Sequence, residues 1–170
     1  MRCVPSRSAR FCGRTCQRCC GKRDDMRRIR LIRNKNELVG TCYFEFMPGE
    51  YQGSCWKDES VFLDEEVFGL IEPVFERQVP GFAHYGFVTV SKTTCRKVIS
   101  DLDELAQNLT SVRSISEIPE SIGFFYQNTE ADFAANLAVN AKDLTNMIRE
   151  LAAWLTEQLQ KHECISVLGI

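Results

Sequence analysis

Across its 170 residues this chain carries little equipment for chemistry. It has two histidines, His84 and His162, and its ten glycines form no phosphate-cradling loop. A G-x-S-x-G elbow and an H-E-x-x-H helix are both absent. His162-Glu163 lacks the second histidine that a zinc-binding helix needs. No stretch approaches the roughly 20 apolar residues of a membrane helix. The nine cysteines are odd in number and their spacing suggests no disulfide framework, which fits a reducing cytoplasm. Nothing in the sequence calls for an organic cofactor.

What is present is an uneven distribution of charge. Residues 1–25 hold seven Lys/Arg against Asp24 and Asp25, a balance of +5. From Met26 onward there are fourteen basic and twenty-one acidic residues, a balance of −7. The first part has only Val4 and Phe11 as large apolar residues, too few to offset the entropy of ordering it. It reads as a disordered, basic, cysteine-rich leader, and the strand-like sequence that follows Met26 suggests a translation start at that methionine. Cys16-x-x-Cys19, completed by Cys12 and Cys20, is the alternative: a four-thiolate metal site. Those four lie within nine positions, without the dozen or so intervening residues of a zinc module.

Residues 26–170 read as one domain, long enough to bury its own core. Arg28–Arg33 alternates imperfectly and Leu38–Phe46 cleanly, as two strands of a hairpin, and Gln52–Lys57 and Val61–Leu63 continue the meander. Asp64 is placed to cap a helix whose first turn contains Glu65 and Glu66. Pro73 should divide that helix into two short ones. Tyr85–Val90 is a further strand, and Ser91 caps a helix with apolar residues from Cys95 to Leu109. Ile122–Tyr126 reads as a short strand. Thr129 and Asp132 resemble a capping box before a long amphipathic run from Phe133 to Leu159. Cys164–Ile170 is apolar enough to be an inner strand. The expected fold is α+β: a single, mostly antiparallel sheet of five to six strands with the long helices packed on one face.

Cys42, Cys55, Cys95 and Cys164 occupy apolar-patterned positions and read as buried free thiols. His84, in the loop Gly81–Gly86, is the only foothold for an enzyme, by activating Cys42 or Cys55 with a carboxylate to orient it. A solitary loop histidine more often serves as a hydrogen-bonding residue. A structural or adaptor domain is the third class, and would show no face of unusual charge. An overall charge of −7 repels phosphate and argues against nucleic acid as a partner of the domain.

The concentrated acidity points instead to protein binding. Asp58, Glu59, Asp64, Glu65 and Glu66 gather at a turn and the helix start after it, with Tyr51 and Trp56 just upstream as aromatic anchors. Such a surface suits a basic protein. The compact acidic layout, and in particular FLDEEVFGLIEPVFERQVPGFAHYGF from Phe62 to Phe87, resembles the immunity proteins of bacterial contact-dependent inhibition and Rhs-type toxin systems. The resemblance spans about Arg28 to Ile170 and is one of pattern, with no motif residue to carry over. It implies a cytoplasmic, non-enzymatic antitoxin that occludes a basic toxin, such as a nuclease.

Overall fold

The computed structural model describes residues 28–126 and 128–169. The leader, with Cys12, Cys16, Cys19 and Cys20, lies outside the described residues. The architecture is α+β, with one antiparallel sheet of four strands in the order β2-β1-β4-β3: β1 is Tyr43–Pro48, β2 Val61–Asp64, β3 Phe87–Ser91 and β4 Cys164–Gly169. The helices are α1 Glu65–Gly69, α2 Glu72–Gln78, α3 Lys92–Leu109, α4 Thr129–Ala135 and α5 Leu137–Lys161.

The sheet is smaller than the five to six strands expected, and three segments account for the difference. Arg28–Arg33 contributes a single bridge, in which Ile32 exchanges backbone hydrogen bonds with Phe62 of β2 (2.9 and 2.8 Å). It therefore flanks β2 and forms no hairpin with β1. Gln52–Lys57 is not a strand. Ile122–Tyr126 is not one either, because the Gly123 N–H donates to the Leu70 carbonyl (3.2 Å) between the two short helices. The C-terminal segment is an inner strand, as its apolar run requires: β4 pairs Val167 with Phe46 on one side and with Val88 on the other.

Strand alternation divides the burial. Phe44, Phe46, Val61, Leu63, Val90, Ile165 and Val167 join Phe68, Phe75, Leu102, Leu144, Ile148 and Leu155 from the helices in one large core. The opposite side of the sheet has a small second cluster, Ile32, Tyr43 and Phe62, with Trp56 and Leu38 against it. Instead of a helix, the loop after β1 covers this side. Tyr51 meets Phe87 edge-on at 5.0 Å, Trp56 stacks on Phe62 at 5.8 Å, and the Ser166 hydroxyl donates to the Gly49 carbonyl (2.8 Å).

Several helix boundaries follow from local chemistry. The Asp64 side chain accepts from the Glu66 N–H, and that of Ser91 from the Thr94 N–H, so both caps are as expected. Pro73 sits in the first turn of α2, where its missing N–H costs no helix bond. The expected capping box at Thr129 does not form: Thr129 is already helical and Asn128 precedes it without a side-chain cap. The long amphipathic run is also interrupted. Asn136 leaves helical geometry (φ −131°, ψ 44°), and the Asn140 amide binds the Phe133 carbonyl (2.9 Å) across the break. Of the four cysteines read as buried, only Cys95 is fully so; Cys42, Cys55 and Cys164 are half-buried, and none of the four is in a disulfide. Burial pushes the Cys95 thiol up to about 12.

Candidate functional site

The described residues bring one unusual group of polar side chains together at the end of the sheet where Phe44 pairs with Gly169. His84 lies there with its side chain only 11% exposed. Its Nδ1 is 2.7 Å from Glu72 Oε1 and its Nε2 is 3.1 Å from Glu65 Oε1. Glu65 opens α1 and Glu72 opens α2, seven residues apart, so both project from the same side of the broken helix. The imidazole stacks on the Phe125 ring at 4.0 Å and 5°, and meets Phe44 and Tyr85 edge-on at 5.0 and 4.5 Å.

Two close backbone approaches build this arrangement. A side chain at Gly169 would run into the His84 carbonyl, so the glycine lets the loop lie flat on β4. The Gly169 N–H fixes it there by donating to Gly86 (3.1 Å). A side chain at Gly123 would meet the Gly69 carbonyl and the Pro73 ring. Its absence lets the 122–126 segment settle on the junction of the short helices, which lays Phe125 over His84.

The proton count of the cluster follows from geometry. Each ring nitrogen faces a carboxyl oxygen, and each gap holds together only with one proton in it. An imidazolium between two carboxylates meets that condition, as does a neutral imidazole with one protonated glutamate. The two glutamates differ in how readily they take a proton. Burial acts to raise the Glu65 carboxyl, but hydrogen bonds from Tyr126, Tyr85 and His84 outweigh it and leave the group below the ordinary range. Burial raises Glu72, and the His84 contact only partly offsets it. Burial and the Glu65 carboxylate push the Tyr85 hydroxyl up to about 12 and raise that of Tyr126 as well.

Over this buried group stands an exposed aromatic rim. Tyr85 is 71% exposed, Phe125 45% and Tyr126 37%. Glu66 lies near enough to Tyr126 to act on its hydroxyl electrostatically. Among the described residues no set of His, Cys, Asp and Glu side chains has the arrangement to hold a metal ion. No helix among them is long and apolar enough to cross a membrane.

The acidic residues singled out in the sequence are dispersed by the fold. Asp58 is exposed and paired with Lys35 at 2.8 Å. Glu59 is exposed and lines a groove of about 590 Å³ with Met47, Glu50, Lys57, Lys161 and His162. Asp64 is buried at its capping position, Glu65 is buried against His84, and Glu66 is half-buried. Asp58 and Glu59 are thus separated from Glu65 and Glu66 by the length of β2. Trp56 is half-buried in the second cluster, with Tyr43 edge-on at 6.3 Å, and Tyr51 is half-buried against Phe87.

The partners of His84 are carboxylates, not Cys42 or Cys55. Reading the sequence alone missed Glu72, Tyr85, Phe125 and Tyr126. A signal for Glu72 was there: it lies within the apolar stripe Phe68, Ile71 and Phe75, where an unpaired carboxylate would be costly. Comparisons with protein-family models, with curated proteins and with solved structures found no match to this chain.

Proposed function

We propose that this chain is a non-enzymatic protein-binding domain, an immunity protein that neutralises a basic toxin, and that it docks through the end of the sheet carrying Tyr85, Phe125 and Tyr126. The observation that carries this reading is the exposed aromatic rim over a carboxylate cluster. Exposed tyrosines beside acidic groups suit arginine, which can stack on a ring while its guanidinium reaches a carboxylate. Glu66 and the residual negative charge of the His84 cluster supply the carboxylate side of that match. Aromatic side chains held by their neighbours lose little entropy on binding, a property of interface hot spots.

The enzymatic alternative through His84 has weaker support. Both ring nitrogens already face carboxylates, so neither is open to a substrate or to a thiol. Nucleic acid remains a poor match for the acidic domain, and a basic protein toxin is the partner this reading requires.

The test is protection of cells against the cognate toxin, together with binding kinetics of the purified pair. Replacing Tyr85 and Tyr126 with alanine should abolish protection and raise the dissociation rate at least tenfold, with thermal unfolding still cooperative. Unimpaired protection by that variant at normal expression would move the interface elsewhere. Failure of any basic protein to co-purify with the chain from its source would remove the immunity reading itself.

A further inference from the structure

The two edges of the sheet are finished differently. At the β2 edge, Ile32 bonds Phe62 and closes part of the row. The β3 edge has no such partner among the described residues. The Gly169 N–H donates to Gly86, and the Lys92 N–H donates to Glu163 (2.8 Å), so residues 86, 88, 90 and 92 turn their backbone groups toward β4. Phe87 and Thr89 must then turn theirs away from the sheet, and no partner for those groups exists among the described residues. Both residues are exposed, Phe87 by 50%.

Edge strands are ordinarily protected by a charge, a proline or a bulge. The β3 sequence Phe87-Val88-Thr89-Val90-Ser91 has no charge or proline, and its register against β4 runs without a bulge. We propose that β3 is a homodimer interface, pairing antiparallel with β3 of a second copy of this chain to make a continuous eight-stranded sheet. The strand is complementary to itself. With Val88 facing Val88 across the two-fold axis, Phe87 and Thr89 of each copy exchange N–H···O bonds with Thr89 and Phe87 of the other, which satisfies all the outward groups of both residues. A second copy fits better than a basic partner, because no ionisable side chain lies between Phe87 and Ser91. Two such strands meet without like-charge repulsion, and a cationic strand would find no carboxylate there.

The test is the mass of the full-length protein in solution, by sedimentation velocity from about 1 to 100 μM with reductant present. The expected species is a dimer of the 19.5 kDa chain. Thr89→Pro removes an outward N–H while leaving the bonds to β4 in place, because proline is tolerated where an edge N–H faces solvent. It should raise the dimer dissociation constant by at least about tenfold, since each copy loses a bond. Phe87→Lys sets two like charges near the axis and should do the same, and Val139→Lys, at an exposed apolar site elsewhere, should not. Cooperative unfolding of each variant establishes that the monomer is folded. A monomeric parent protein throughout the range would overturn the proposal, as would a dimer that survives both β3 substitutions.

Discussion

Glu45 on one side of the sheet and the Glu65–Glu72 pair at its end are buried carboxylates satisfied in different ways. Glu45, fully buried on β1, accepts from the backbone N–H groups of Trp56 (2.7 Å) and Lys57 (3.0 Å). Glu65 and Glu72 are answered by a titratable ring and by tyrosine hydroxyls. The first arrangement uses donors that cannot change protonation, and it holds a loop down. It also keeps Trp56 at φ 64°, a left-handed conformation uncommon for so bulky a residue, which persists only when its surroundings over-determine it. The second arrangement can redistribute protons and lies beneath exposed aromatics. A fixed carboxylate clamp suits architecture, and a titratable one suits a surface that meets a partner.

Breaking the fixed clamp should have the largest effect. Glu45→Ala leaves two part-buried N–H groups unanswered and frees the loop from the outer side of the sheet. Each lost bond to a charged acceptor weighs about 1.5–3 kcal/mol, so the loss of two should be on the order of 3–6 kcal/mol. That is a large share of a stability of about 5–15 kcal/mol. Urea unfolding measures it, and a loss below about 1 kcal/mol would mean that the loop is held by Trp56 and Tyr51 alone.

The titratable clamp should respond less strongly, and in a pH-dependent way. His84→Ala leaves Glu65 and Glu72 facing one another without the ring between them and removes the ring stacked on Phe125. The expected cost is about 2–4 kcal/mol at pH 7, at or below the roughly 3–5 kcal/mol of a broken buried pair because the three side chains keep 8–12% of their surface in solvent. It should narrow as the pH falls and Glu72 takes a proton. A deficit that is the same at pH 7 and pH 5 would show that lost packing, and not carboxylate repulsion, is its cause.

The two glutamates should differ in sign. Glu72 has a raised carboxyl in the folded state, so its favourable contribution is present at low pH and is lost as the pH rises through the folded value. Glu72→Gln should therefore leave stability at pH 7 unchanged or increase it by about 1 kcal/mol or less. Glu65 is lowered, so its contribution is present above the unfolded value and is lost as the pH falls through the folded one. Glu65→Gln should cost about 1 kcal/mol at pH 7 and nothing in strong acid. Thermal midpoints from pH 3 to 8 separate the two, and matching profiles would refute the assignment.

The same contrast explains what the sequence made legible. Where a local rule acts alone, as in the apolar run of β4, the caps at Asp64 and Ser91 and the break at Pro73, reading residues in order was enough. It did not suffice where a distant partner replaces a local one. Gln52–Lys57 has strand composition, yet a carboxylate eleven residues away takes the N–H of Trp56, and the segment becomes a loop. Ile122–Tyr126 has the apolar content of a strand, yet a carbonyl between two short helices takes its Gly123 N–H. His84 looked solitary because its partners stand 12 and 19 residues upstream. The acidic stretch looked like one surface because charge along a sequence does not say which carboxylates the fold will consume. Asp64 serves as a cap and Glu65 as a histidine partner, and both are buried.

The smallest effects should come from the acidic residues left at the surface. Asp58 is 81% exposed and its pair with Lys35 contributes little, about 0.5 kcal/mol or less, so reversing Asp58 and Glu59 to lysine should not measurably change the fold. On the proposed immunity reading these residues would contribute to the field that a basic toxin meets on approach, and exposed charge acts mainly on association. The reversal should slow association severalfold at low salt and have little effect at 0.5 M, where screening reduces the range to a few ångströms. The dissociation rate should stay the same, in contrast to its rise when Tyr85 and Tyr126 are removed at the other end of β2. Trp56→Ala should follow a third pattern, losing stability through its stack on Phe62 and affecting toxin binding only to the extent that the loop moves. If instead the Asp58 and Glu59 reversal raises the dissociation rate while the Tyr85 and Tyr126 variant binds normally, then the docking surface lies at the turn after Trp56, and the aromatic rim serves another purpose.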